Sequence, residues 1–158
     1  MTGNAFQAFV TNADQEALLQ RVQAHLDDRG VFAFETRNPL FANVGASAGL
    51  FVALDTQLEE EAGASFVNAA GHEVRVSRTR RYDHVAQVVH LTRYKRWNDG
   101  GQDHVTVART ALRYTFPREL AALLHYNGFA ITRQQGDWNG EPLGATSPSI
   151  ISVCRKRS

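Results

Sequence analysis

The chain has 158 residues, of which 43% are hydrophobic and 21% charged, and its formal net charge is +1. That length can bury a core without covalent staples, and with Cys154 as the only cysteine neither an intramolecular disulfide nor a cysteine-built zinc site can form. No apolar run reaches the roughly 18 residues of a membrane helix, Met1 to Gln7 lacks the pattern of a secretory leader, and a reducing, cytoplasmic setting is the expectation. Charge is unevenly spread. Residues 1–72 hold nine acids and three Arg, whereas residues 73–158 hold seven acids and fourteen Arg or Lys. Such asymmetry fits a nucleic-acid surface, an acidic substrate or two halves that meet each other.

In chain order, Leu18, Leu19, Val22 and Leu26 recur at helical spacing and predict a helix over Asn12–Arg29. Asn12 is its expected cap, Gln15 the returning member of a capping box, and Gly30 the left-handed end. Val31 to Thr36 is almost wholly apolar, the mark of a strand buried on both faces inside a parallel sheet. Residues 40–72 are rich in Ala and Gly and carry the acids Glu59, Glu60 and Glu61. They form a connector, with a helix over Gly49–Glu61. Period-two alternation then predicts three antiparallel strands near 73–82, 85–97 and 103–116, with turns at Tyr82–Val85 and Asn98–Gly101. Pro117 opens a helix with Leu120, Leu123 and Leu124 on its apolar face, ended by Gly128. Strands over Phe129–Arg133 and Ser149–Arg155 follow, separated by a loop holding Gly136, Gly140, Pro142 and Gly144. The whole is one expected domain: residues 1–39, the connector 40–72, an antiparallel insert 73–116 and a helix with a strand pair over 117–158.

Several residues carry candidate chemistry. Glu35, Arg37 and Asn38 stand at the carboxyl end of the buried strand, where open α/β sheets bind ligands; a salt-bridged turn held by Pro39 is the other reading. Arg113 and Tyr114 close the third long strand, with Tyr114 a pocket wall, a weak base or a packed aromatic. Trp138 either stacks on a substrate or covers the sheet. The basic run Arg75, Arg78, Arg80, Arg81, Arg93, Lys95 and Arg96, interleaved with Tyr82, Tyr94 and Trp97, offers a nucleic-acid or anionic-ligand module. Alternation splits that run between two faces and favours a solvated sheet over a nucleic-acid platform. Gly45-Ala46-Ser47-Ala48-Gly49 matches the elbow of serine hydrolases with Ser47 as nucleophile, in a stretch where a chance match is easy. The six His form neither H-E-x-x-H nor H-x-H, so no metal site is expected.

The order helix, buried strand, antiparallel strands, helix, strand, loop, strand resembles the second half of the class I S-adenosylmethionine-dependent methyltransferases. Four stretches carry the resemblance: Leu18-Leu19 through Asp27-Asp28-Arg29-Gly30-Val31-Phe32-Ala33-Phe34; Glu35-Thr36-Arg37-Asn38-Pro39; Phe116-Pro117-Arg118-Glu119-Leu120 with Asn127-Gly128-Phe129; and Pro148-Ser149-Ile150-Ile151-Ser152-Val153-Cys154-Arg155. It implies an α/β fold, the second half of a Rossmann-like sheet whose last strand is antiparallel, with an inserted antiparallel three-stranded meander. It implies a small-molecule acceptor bound on this side, and it places Phe6 and Gln7 beside the cofactor's methionine end. The family's first strand, glycine-rich turn and ribose-holding acid have no counterpart in the 158 residues, and those parts make the nucleotide pocket. The expectation is therefore a truncated methyltransferase, inactive alone, that binds no S-adenosylmethionine itself and pairs an exposed sheet edge with a second copy.

Overall fold

The computed structural model describes residues 1–39 and 60–157. The Ser47 motif and nearly all of the helix expected over Gly49–Glu61 lie outside the described residues; Glu61 itself starts a short strand. The described chain divides into two compact units, residues 1–39 with 112–157, and residues 60–111.

The first unit opens with Met1 and a short 3-10 turn, Ala5–Ala8, then helix α1, Asn12–His25. Thr11, not Asn12, is the cap: its hydroxyl accepts from the Asp14 N–H at 3.1 Å, and the Asp14 carboxylate accepts from the Thr11 N–H at 3.3 Å. The box thus sits one residue earlier than the sequence suggests, which frees Gln15 for the interior. The helix stops at His25 with Leu26 as its C-cap, short of Arg29. Gly30 serves close approach, not a left-handed turn. It is absent from the positive-φ positions, and a Cβ there would come within 2.6 Å of the Leu26 side chain.

Strand β1, Phe32–Arg37, alternates rather than burying both faces: Phe32, Phe34 and Thr36 are buried, and Arg37 is exposed. It pairs antiparallel with β8, Ser149–Lys156, in a register from Phe32↔Cys154 to Arg37↔Ser149. β7, Phe129–Gln135, lies antiparallel on the other side of β8. β1 and β7 therefore run parallel to each other, with β8 reversed between them. On the other edge of β1 the Met1 amino group donates to Ala33 O at 2.7 Å and Glu35 N donates to Met1 O at 3.3 Å. Those two bonds bracket Phe34 as one rung of a parallel ladder does.

Helix α2, Pro117–Tyr126, packs Leu120 and Leu124 into the core. Pro117 stands at its first turn, where no N–H is missed. Phe6, Leu19, Phe32, Phe34, Leu120, Leu124, Phe129, Ile150 and Cys154 form one cluster. The Phe34 ring lies 4.8 Å from Phe6 and 4.9 Å from Phe32.

The second unit is an antiparallel sheet. Its order is β2 (Glu61–Ala62), β4 (Glu73–Asp83), β5 (Val88–Asp99), β6 (Gln102–Arg113), with β3 (Phe66–Val67) also on β4. Leu112 and Arg113, the last residues of β6, belong to the first unit. The turn before β5 runs to Gln87, so Val85 is a turn residue and 85% exposed, not the start of a strand. Gly100 and Gly101, at φ +57 and +92, make the two-residue turn between β5 and β6 that favours residues without a Cβ.

Candidate functional site

Two groups of the predicted residues come together, both in the first unit. One forms around the 3-10 turn. Phe6 is fully buried on Phe34, so it is a core residue as well as a candidate lining residue. Gln7 is 1% exposed and its Nε2 donates to Arg113 O at 3.1 Å, which anchors the turn to the end of β6. Arg113 is itself buried, and a guanidinium so placed needs a countercharge; Glu119 supplies it at 2.7 Å from Nη2. Glu119 also accepts the Phe116 N–H at 3.2 Å, tying the ion pair to the start of α2. A parallel tie lies nearby in the chain: Gln15 Nε2 donates to Thr115 Oγ1 at 3.2 Å, both groups buried. Tyr114, between these anchored neighbours, is half-buried and engaged in an interaction of its own.

This group retains unspent bonding capacity. Among the described residues Asn4 Oδ1, Gln7 Oε1 and Arg113 Nε are buried without a hydrogen-bond partner. Buried polar atoms are almost always paired, so such atoms mark strain, water or a ligand. Asn4 also has φ +58, directly after Gly3 at +67, a conformation that costs a non-glycine residue energy and clusters at functional sites. Two acceptors and one donor are thus buried unpaired where the turn meets Arg113.

The second group stands where β1 ends and β8 begins. Ser149 Oγ donates to Glu35 Oε1 at 2.8 Å, and Asn38 Nδ2 donates to Ser147 O at 2.9 Å. Asn38 N also donates to Pro148 O at 3.0 Å. Glu35 and Asn38 therefore lace the strand end to the segment entering β8. Arg37, between them, is exposed. Trp138 is 58% exposed in a turn organised by Asp137, whose carboxylate accepts the N–H groups of Asn139, Gly140 and Glu141. Those bonds, the one from Glu141 foremost, hold the Asp137 carboxyl below its ordinary range. Sequence reasoning gave Gln15 only a capping role and did not single out Thr115, Glu119 or Ser149 as site residues. Their only signal was membership of stretches already marked, and the partnerships of Gln15 with Thr115 and of Ser149 with Glu35, across 100 or more residues, have no local trace.

A hollow opens in each unit. One, of about 220 Å³, lies between the helices and includes Gln15 and Glu119. The other, of about 680 Å³, lies in the second unit by Arg75, Arg96, Trp97 and His104. Neither is lined by any of the eight predicted site residues. Among the described residues no group of three or more His, Cys, Asp or Glu is placed to hold a metal ion, and no helix is long and apolar enough to cross a membrane.

The basic strands of the second unit are partly neutralised from within. Glu61 lies 3.0 Å from Arg78 and 3.5 Å from Arg80, and Glu60 binds Arg96 and Ser77. The hydrogen bond from Arg96 lowers the Glu60 pKa below its ordinary value, and the Arg96 guanidinium lies 4.7 Å from the Tyr94 ring. Acids from the negative part of the chain thus answer cations from the positive part.

No protein-family model matches the sequence, and no curated protein matches it. Solved structures do match. The CcbJ methyltransferase from Streptomyces caelestis superposes with a TM-score of 0.74 at 18% identity, over 98% of this chain and 58% of that one. An S-adenosylmethionine-dependent methyltransferase from Clostridium acetobutylicum gives 0.70 at 12% identity, over 99% and 56%. CalS10 from Micromonospora echinaspora, an amino pentose methyltransferase of calicheamicin biosynthesis, gives 0.60 at 15%, over 96% and 56%. The chain has an α/β methyltransferase-like fold with antiparallel sheets, and it spans little more than half the length of these neighbours.

Proposed function

We propose that this chain carries the acceptor side of an S-adenosylmethionine-dependent methyltransferase and that turnover requires a nucleotide-binding half, with a glycine-rich turn, that these 158 residues do not supply. The observation that carries the reading is the sheet of the first unit. β8 lies reversed between the mutually parallel β1 and β7, and Met1 adds a parallel rung to the outer edge of β1. That arrangement accompanies the superposition of nearly all of this chain on little more than half of two methyltransferases. The antiparallel second unit is then an insertion between the strands of a Rossmann-like half.

Methyl transfer is an in-line displacement, in which a protein supplies mainly proximity and orientation. The residues present fit that task on the acceptor side. Asn4 and Gln7 offer carbonyl oxygens and Arg113 an N–H where the 3-10 turn meets β6, and Glu119 fixes Arg113. The cofactor supplies the electrophilic methyl group. This chain's residues orient an acceptor; an acceptor amine attacks through its lone pair, so an ammonium form must first lose its proton to solvent. The acceptor is a small molecule; the amino pentose used by the Micromonospora neighbour makes an amine-bearing sugar the first to try.

The test is calorimetry with S-adenosylmethionine. The 158-residue chain is expected to bind it no tighter than about 1 mM. A polypeptide extended through the reading frame upstream of Met1 is expected to bind it in the micromolar range. Micromolar binding by the 158 residues alone, or an upstream frame that encodes no strand and glycine-rich turn, overturns the proposal.

A further inference from the structure

We propose that β6 is the surface through which two copies of this chain associate, edge to edge and antiparallel, about a two-fold axis at Thr106. β6 ends the sheet order of the second unit, and among the described residues no strand pairs with its outer edge. From Gln102 to Thr110 every residue except His104 is exposed, on both faces of the strand. Val105 is 58% and Val107 39% exposed. A long strand edge without proline, rich in Val and Thr, is the kind that folded proteins usually shield, because its free N–H and C=O groups template another strand.

The residues of this edge are complementary to themselves. In a two-residue hairpin the ladder bonds alternate. Asn98 bonds Asp103 at 2.8 Å and Trp97 stacks on His104 at 5.1 Å, which sets the alignment of β5 with β6. The backbone groups of Asp103, Val105, Val107 and Arg109 are then those that face the open edge. An antiparallel two-fold pairing keeps these residues opposite one another and on one face. With the axis at Thr106, Asp103 lies across from the partner's Arg109, and Val105 lies across from the partner's Val107, each contact made twice. An axis at Val105 or Val107 instead sets a charge against a valine. Among the described residues Arg109 has no ion pair within its own chain, so the pairing with Asp103 gives it one.

This interface does not depend on the methyltransferase reading, and its test reads mass, not chemistry. Size exclusion with light scattering, run from about 1 to about 100 µM, is expected to show a dimer. Arg109→Asp places two acids opposite each other twice per interface. Asp103→Arg does the same with two cations. Each is expected to weaken the dimer about tenfold or more, while the double variant restores it to within about threefold of the parent. Arg109→Asp leaves the Asn98–Asp103 bond in place, and an unchanged circular dichroism spectrum shows that each variant is folded. A parent chain that is monomeric at the highest concentration overturns the proposal. So does a dimer indifferent to Arg109→Asp, or a double variant no stronger than the single ones.

Discussion

Gln7, Gln15 and Arg113 are polar side chains that the fold buries. Residues of these types are mostly exposed, and each has a partner inside: for Gln7 and Gln15 it comes from a distant stretch, Arg113 O and Thr115 Oγ1, and for Arg113 it is Glu119, six residues on. The composition of Asn4-Ala5-Phe6-Gln7 could mark a candidate stretch, but not the anchoring of Gln7 to the end of β6. Cys154 is the converse case, a residue whose surroundings decide its chemistry. Burial in the core cluster pushes its thiol up to about 12. In the unfolded chain the thiol titrates near about 8.5. Below that pH both states keep the proton and the stabilising difference is fully present; as pH rises toward 12 the unfolded state gains by losing it. The denaturant midpoint is therefore expected to fall between pH 8 and pH 10, and Cys154→Ala to remove that slope. An aromatic disulfide reagent at pH 8 is expected to react with the folded chain only as fast as the chain opens. A midpoint independent of Cys154 would refute the assignment.

At the scale of elements, the sequence was most legible where a single period governs. The helix from Pro117 and the alternation of β4, β5 and β6 follow the spacing of their apolar residues. β1 alternates where the sequence suggests burial on both faces, because the apolar run Val31 to Phe34 hides its alternation. Ala33 is small enough to stand half-exposed, and Val31 is 46% exposed. Local signals also fail at the start of α1, where Thr11 and Asn12 are both able caps and the bonds with Asp14 decide for Thr11. Gly128 shows a signal that works. It follows α2 at φ +80, and a Cβ there would strike the Gln23 amide. Gly128→Ala is expected to cost about 1–2 kcal/mol from the left-handed backbone, measured by chemical denaturation. A change near zero would mean that the α2–β7 junction relaxes freely.

For the whole molecule, the charge asymmetry of the sequence left three readings open, and the tertiary structure narrows them. Glu60 and Glu61 from the acidic part neutralise Arg96, Arg78 and Arg80 from the basic part, which leaves fewer free cations for phosphates. Fluorescence anisotropy at about 0.15 M salt is accordingly expected to show no oligonucleotide affinity tighter than about 100 µM. Saturable micromolar binding with a steep salt dependence would restore the nucleic-acid reading. By itself the sequence determined the kinds and order of the longer elements outside residues 40–72, and their approximate ends, because hydrophobic period, proline and glycine act within a few residues of one another; the short strands β2 and β3 in the expected connector it did not show. Only the tertiary structure decided the antiparallel neighbour of β1, the parallel rung at Met1, the buried bonds of Gln7 and Arg113 and the place of β6 at the end of the sheet order among the described residues. Each of these joins or exposes stretches far apart in the chain, and whether a hydrogen-bonding group meets a partner there is fixed by packing, not by local pattern.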